Sequence, residues 1–377
     1  MKVGILSLPL NTNYGGILQA YALQTVLQRM GHEVMVFNQE RTNYLPLYKQ
    51  FLSYGSFLVC KYILNRDVTY KSPRRINNER NEREQFTSLF INKYIKTYKI
   101  RNIEKDIPKD IDAIIVGSDQ VWRHYYFTLS YKCGIENAFL KFCEKEKLKR
   151  VAYAASFGND VWEYSKEETK ECARLLRRFD AVSVREISAV GFCQNMLGRK
   201  DAQQVLDPTM LLSKDEYIKI IENNKPNKSP GNLMCYILDE TEEKKTLVDI
   251  IANGRQLMVF RVGSKVEDQK ATNTERIQPP LEEWLQGFVD ASFVVTDSFH
   301  ACVFSILFNK PFVVIGNKFR GMSRFYSLLE MFSLSKNLIL DVDEYDETYD
   351  YKVSDFAKEN LFFLRNKSLS FLSQSLM

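Results

Sequence analysis

Apolar and polar positions alternate along the chain in a regular order. Residues 3–8 (VGILSL) form a buried-strand run, and 11–16 (NTNYGG) a polar, glycine-containing turn. Ile17, Ala20, Tyr21, Leu23, Leu27 and Met30 then recur at helical spacing. Gly31 stops that helix and 33–37 (EVMVF) is the next strand, the rhythm of a βαβ unit. Further strand runs fall at 112–116, 150–156, 180–184, 232–238, 256–260, 292–296 and 311–315. Helical stretches separate most of them, which predicts an α/β protein with parallel sheets.

The strand–helix series restarts after about residue 207, where LDPTML (206–211) and KPNKSPGN (225–232) supply breakers. This predicts two Rossmann-like domains, 1–210 and 211–377. A segment at about 41–111 interrupts the first. Within it 51–64 (FLSYGSFLVCKYIL) is apolar, and 71–101 holds nine Lys/Arg against three Glu. The expectation is a helical insertion with a solvated basic face; the alternative is a face that docks on an acidic lipid surface. Residues 354–376 are amphipathic and predict a C-terminal helix packing back across the first domain.

Composition narrows the class. A chain that is 45% hydrophobic and 26% charged can build a globular core. A net charge of +5 is too mild to announce nucleic acid but suits anionic ligands. The seven cysteines are scattered and never in C-x-x-C spacing, which predicts reduced thiols in a cytoplasmic protein with no zinc site. Residues 3–28 carry no charge, yet Asn, Thr, Gln and Gly interrupt them too often for a membrane span. The chain enters its first strand directly, without an apolar leader and cleavage site. The expected location is the cytoplasm, with peripheral contact at the inner membrane face as the variant that the basic segment allows.

Ligands of open α/β sheets bind outside the carboxyl ends of the strands. Six polar clusters follow predicted strands: NTNYGG, GSDQVWR (117–123), FGND (157–160), RE (185–186), DSFH (297–300) and GNKFRG (316–321). Gly15 and Gly16 let the backbone approach a ligand, and the helix from Ile17 offers N–H groups to an anion, although no dinucleotide or Walker fingerprint is present. Ser118, Asp119 and Gln120 suit sugar hydroxyls; alternatively, Ser118 or Asp119 caps the next helix. His300 is one of three histidines. It is either a core residue at a helix start capped by Asp297 or Ser298, or a group that meets an anion and transfers a proton. His32 and His124 have no comparable setting. Lys318 and Arg320 follow the 311–315 strand, and one imidazole with two cations reads as a site for a small phosphorylated acid.

Five motifs in order, NYGGILQAYALQ (13–24), VGSDQVW (116–122), AVSVRE (181–186), LDPTMLL (206–212) and TDSFHACVFSILFNKPFVVI (296–315), resemble the polysaccharide pyruvyl transferase family. The resemblance runs from residue 2 to about 335. It implies a GT-B-like fold with the site in the interdomain cleft. It also implies transfer of a pyruvyl group from phosphoenolpyruvate to sugar hydroxyls as a ketal, without a metal or other cofactor. The family's essential histidine falls on His300, a basic residue on Arg320 and a first-domain arginine on Arg185. Ser298 stands where some relatives carry an arginine, with Lys318 or Arg324 as the substitute. Asn13, Tyr14, Asp119 and Gln120 would orient the acceptor, a polysaccharide-precursor sugar. A lipid-linked acceptor would give the basic segment a purpose.

Two other functions stay open on the residues. A GT-B glycosyltransferase or nucleotide-sugar epimerase shares the fold, although the second domain lacks a convincing E-x7-E ribose clamp. A non-catalytic sugar-binding protein of a polysaccharide assembly complex has no need of His300, Arg320 and Arg185 together.

Overall fold

The computed structural model describes residues 1–41, 46–65, 70–316 and 321–377. Among them, strands β1 (Lys2–Leu6), β2 (Glu33–Gln39), β3 (Thr97–Ile100), β4 (Ala113–Val116), β5 (Lys149–Ala155), β6 (Ala181–Val184) and β7 (Gln203–Gln204) form a parallel sheet in the order β3-β2-β1-β4-β5-β6-β7. Strands β8 (Leu233–Tyr236), β9 (Val259–Arg261), β10 (Phe293–Thr296), β11 (Phe312–Ile315) and β12 (Leu338–Ile339) form a second, in the order β12-β11-β10-β8-β9. Every strand run read from the sequence is present. The central strands β1, β4, β5, β8, β10 and β11 are buried nearly throughout, as expected for parallel strands covered by helices on both faces.

The insertion is helical in Leu47–Leu58, Pro73–Arg83 and Gln85–Tyr94, but Thr97–Ile100 is a strand rather than helix. Its β-prone Thr-Tyr-Lys-Ile run pairs in parallel with β2, with Val36 opposite Thr97 and Gln39 opposite Ile100. The basic face is not wholly solvated either, because Arg80 and Arg83 line a cleft between the sheets.

The first helix runs Tyr14–Arg29, so Gly15 and Gly16 occupy its first turn rather than a preceding loop. Asn13 adopts the extended N-cap conformation, and the amide of Ile17 donates to its carbonyl at 3.1 Å. Several bonds tie this half of the chain to the second sheet. The Tyr14 hydroxyl donates to the carbonyl of Pro279 at 2.6 Å, the amide of Gln278 to Arg83 at 3.1 Å, and the amide of Ile187 to Ser327 Oγ at 3.1 Å.

The last helix, Asp355–Leu376, packs back on the first sheet's side. Ser368 Oγ accepts from the amide of Leu206 at 3.1 Å, and Arg365 donates to the carbonyls of Met210 and Leu212. Phe371 lies 6.3 Å from Tyr153 on β5. Leu372 is fully buried, whereas Phe362 is 67% exposed. Leu372→Ala should therefore destabilise the protein by about 2–5 kcal/mol, and Phe362→Ala by less than about 0.5 kcal/mol; urea titrations of the two variants check the contrast.

Candidate active site

The segments that follow β1, β2 and β4 face those that follow β8 and β10 across a cleft of about 640 Å³, within the usual range of small-molecule sites. Behind His300, off the cleft lining, lies Asp207, which follows β7 and caps the short turn Pro208–Leu211. One carboxylate oxygen accepts from the amide and hydroxyl of Thr209 at 3.0 and 2.7 Å. The other accepts from Gln19 Nε2 at 2.5 Å and Arg185 Nη1 at 3.0 Å. His300 Nε2 lies 3.8 Å from that same oxygen, beyond hydrogen-bond length.

Ser298 caps the helix Phe299–Leu307 through its extended backbone, without a side-chain bond, and His300 sits in the first turn. The imidazole is held against the glycine pair from the other sheet. A Cβ on Gly15 would lie 1.9 Å from His300 Nδ1, so only glycine lets the two helix starts meet. His300 Nε2 has no hydrogen-bond partner among the described residues. Phe299 beside it carries two cations on its ring: the Arg185 guanidinium at 4.5 Å and that of Arg324 at 5.6 Å.

These contacts set the charges. Burial opposes the Asp207 carboxylate, but His300, Arg185 and the Thr209 bonds hold its pKa below the usual range. Burial pushes the His300 imidazole down to about 4; Asp207 pulls it up, and Arg185 pushes it lower. Among these protein groups Asp207 is thus ionised and His300 neutral at pH 7. Burial and the nearby Arg185 lower Arg324 to about 10, which leaves it charged.

The other candidates divide by position. Asn13, Tyr14, Gly15, Gly16, Asp119, Gln120, Asp297, Ser298 and His300 all line the cleft. Asn13 Nδ2 approaches Asp119 Oδ2 at 3.5 Å, and a Cβ on Gly16 would touch both side chains. Asp119 Oδ1 accepts from the amide of Gln120, and Gln120 Oε1 accepts from Arg123 at 3.1 Å. Neither Ser118 nor Asp119 caps a helix, because the next one starts at His124 with Arg123 as its N-cap.

Of the candidates, Tyr14 and Asp297 are engaged elsewhere. Ser118 is buried and off the cleft wall. Tyr14 already bonds Pro279. Asp297 accepts from the amides of Leu238 and Asp239 and pairs with Lys244 at 2.7 Å, which ties the end of β10 to the loop after β8. Arg185 is only 4% exposed and stands behind Phe299, not on the cleft wall; Arg324 is on the wall. Lys318 and Arg320 lie outside the described residues. His32 is away from the cleft, and His124 Nε2 pairs with Glu168 at 2.9 Å. No group of three His, Cys, Asp or Glu is placed to hold a metal among the described residues.

Asp207 and Gln19 are site residues that sequence reasoning misses. The turn-capping D-P pair is the one local signal for Asp207, and burial of the carboxylate arises only from the tertiary fold. Arg80, Arg83 and Arg276 line the opposite wall. Burial and then the Arg276 charge lower the pKa of Arg83, and Arg80 is lowered by burial and by Arg41.

The depressed imidazole has a consequence for stability. His300 titrates near 6.5 when unfolded and near 4 when folded, so between these values the unfolded chain binds a proton that the folded chain refuses. The associated stability is present above about pH 6.5 and is lost as the pH falls towards 4, by up to about 1.4 kcal/mol per pH unit. Denaturation of wild type and His300→Gln from pH 7 to 4.5 should show the steeper loss in wild type; parallel curves would contradict the assignment.

The chain matches the polysaccharide pyruvyl transferase family over residues 13–318. No curated protein matches it. Among solved structures, Arabidopsis thaliana UGT89C1 complexed with UDP-L-rhamnose is similar in fold, with a TM-score of 0.50 at 8% identity, covering 100% of this chain and 99% of that one. Sucrose-phosphate synthase from Thermosynechococcus elongatus has a TM-score of 0.47 at 12% identity, over 99% and 98%. UDP-GlcNAc 2-epimerase from Neisseria meningitidis bound to UDP-GlcNAc has 0.46 at 11%, over 96% and 100%. The two parallel sheets and the UGT89C1 likeness establish a GT-B-like architecture, and the match across most of its length makes this chain a member of the polysaccharide pyruvyl transferase family.

Proposed function

We propose that the protein transfers the pyruvyl group of phosphoenolpyruvate to two hydroxyls of one sugar in a polysaccharide precursor, forming a ketal and releasing phosphate. One observation carries this reading: a buried histidine with an unpartnered Nε2 stands beside Arg324 and Phe299 at the floor of the cleft.

The chemistry needs a proton at the methylene carbon of the enol and positive charge where phosphate departs. Arg324 provides the charge from the cleft wall. Arg185 acts from behind Phe299, holding Asp207 in place, and is a positioning residue in this account. Lys318 and Arg320 are proposed as further donor cations on their sequence position alone.

Burial depresses the imidazole, and the Arg185 and Arg324 charges add to it; a donor carrying phosphate and carboxylate offsets those charges, and Asp207 then favours protonation. His300 gives that proton to the methylene carbon while the first hydroxyl bonds to its neighbour. The neutral imidazole can next accept the hydroxyl proton. Phosphate leaves with the C–O bond pair, and the second hydroxyl closes the ketal, releasing its own proton. Charge that develops on the departing phosphate is met by fixed cations, which require no reorganisation.

Asn13, Asp119 and Gln120 suit the acceptor's hydroxyls. Arg80, Arg83 and Arg276 on the opposite wall favour an acceptor with its own negative charge, as a sugar on a lipid diphosphate has. A cytoplasmic reaction fits the supply of the donor.

Thermal unfolding with phosphoenolpyruvate, pyruvate, phosphate and a UDP-sugar tests the donor. Phosphoenolpyruvate at a hundred times its dissociation constant should stabilise by about 2.7 kcal/mol, and Arg324→Ala should abolish the effect. Stabilisation by the UDP-sugar alone would replace this reading with a glycosyltransferase or epimerase. His300→Gln should keep donor affinity within about tenfold while turnover falls at least ~100-fold; equal losses in both would reduce His300 to a phosphate ligand.

A further inference from the structure

The helical segment Leu47–Ile63, an α-helix that closes in a π-helical turn, leaves most of its apolar surface in water. Tyr48, Phe51, Leu52, Tyr62 and Ile63 are 61%, 75%, 69%, 72% and 74% exposed. They recur at three- and four-residue intervals, with Val59 between them, and so share one stripe. Beside the stripe, Tyr54, itself 46% exposed, and the half-buried Phe57 make ring contacts with each other and with Tyr70. A continuous exposed stripe of large apolar side chains on a globular protein marks a surface that meets something.

Charge selects the partner. From Pro46 to Asn65 the chain has no Asp or Glu, while Lys49 and Lys61 flank the apolar stripe. Lys61 lies over the rings of Phe57 and Tyr62 and Lys49 over Tyr48, so each long stem runs along apolar surface with its ammonium at the edge. Arg74 at the start of the next helix is exposed on the same insertion, while the exposed Arg75 pairs with Glu79 at 2.9 Å. Apolar and aromatic side chains bordered by lysines, without acids, complement the boundary between acyl chains and anionic headgroups. Spanning is not indicated: no helix among the described residues is long and apolar enough to cross a membrane.

Position adds a consequence. Ser53 of this helix and Lys71, Pro73 and Ile76 beyond it line a second hollow together with Gln39 and Glu40. Gln39 and Glu40 also line the active cleft, so the exposed helix stands beside the cleft's entrance.

We propose that Leu47–Ile63 is an interfacial helix that lies in the surface of an anionic lipid bilayer and holds the cleft mouth towards it. The segment 71–101, which the sequence offered as the basic docking face, has a different position. Its Phe90 and Ile91 are in the core, its Thr97–Ile100 is in the sheet, and its Arg80 and Arg83 face the cleft. The proposal does not depend on the pyruvyl reaction, and its test involves no turnover.

The full chain is floated with phosphatidylcholine vesicles and with vesicles containing about one third phosphatidylglycerol, at low and high salt. Binding to the anionic vesicles, weakened by salt, is expected. The pair Phe51→Asp and Tyr62→Asp together should reduce that binding by about tenfold or more, with an unchanged unfolding midpoint because both positions are exposed. Lys49→Gln with Lys61→Gln should weaken it less and flatten the salt dependence. Failure of the wild type to bind anionic vesicles would overturn the proposal, as would undiminished binding by the folded Phe51/Tyr62 double variant. A concentration-dependent dimer in sedimentation that this variant abolishes, without vesicle binding by the wild type, would assign the stripe to a second copy instead.

Discussion

A buried carboxylate organises this protein. Asp207 is 2% exposed and ionised, a state that an apolar interior tolerates only when the charge is paired and hydrogen-bonded. Four donors meet that demand, from Gln19 on the first helix, Arg185 after β6 and both polar groups of Thr209. These donors come from three separate stretches of chain. Satisfying one charge therefore fixes the first helix, the end of β6 and the loop towards the second sheet relative to one another. His300 then enters from the second sheet and comes to rest against Gly15.

The same arrangement prepares the cleft for an anion. Two guanidiniums share the ring of Phe299, and one of them is neutralised by Asp207 while the other faces the cleft. Burial, with their combined field added, keeps the imidazole neutral. In the proposed reaction an incoming dianion reverses the balance, so that the acid is loaded by the substrate it serves. A protonated histidine at rest would lack this coupling.

Much of the fold is legible from residue patterns because buried parallel strands are nearly continuous apolar runs. β1, β4, β10 and β11 announce themselves in this way. β3, β7 and β12 do not: they are edge or terminal strands of two to four residues, and pairing with a neighbour decides them rather than any run of their own. In the site, His300 and Asp119 stand out as rare polar groups at strand ends. Asp297 looks equivalent in sequence, yet it is used by Lys244, 53 residues earlier, a pairing that no local pattern encodes. Asp207 is the converse case. It looks like an ordinary turn-capping D-P pair, and its importance comes from which charges the fold gathers around it.

Calorimetric titration of phosphoenolpyruvate into the protein at pH 7, in two buffers of different ionisation enthalpy, tests the central claim most directly. The difference in apparent heat reports protons exchanged on binding. A neutral His300 that is loaded by the donor predicts net uptake approaching about one proton per site, lost in His300→Gln with donor affinity largely kept. Binding without proton uptake, or uptake that persists unchanged in His300→Gln, would contradict the coupling between the buried carboxylate, the imidazole and the donor.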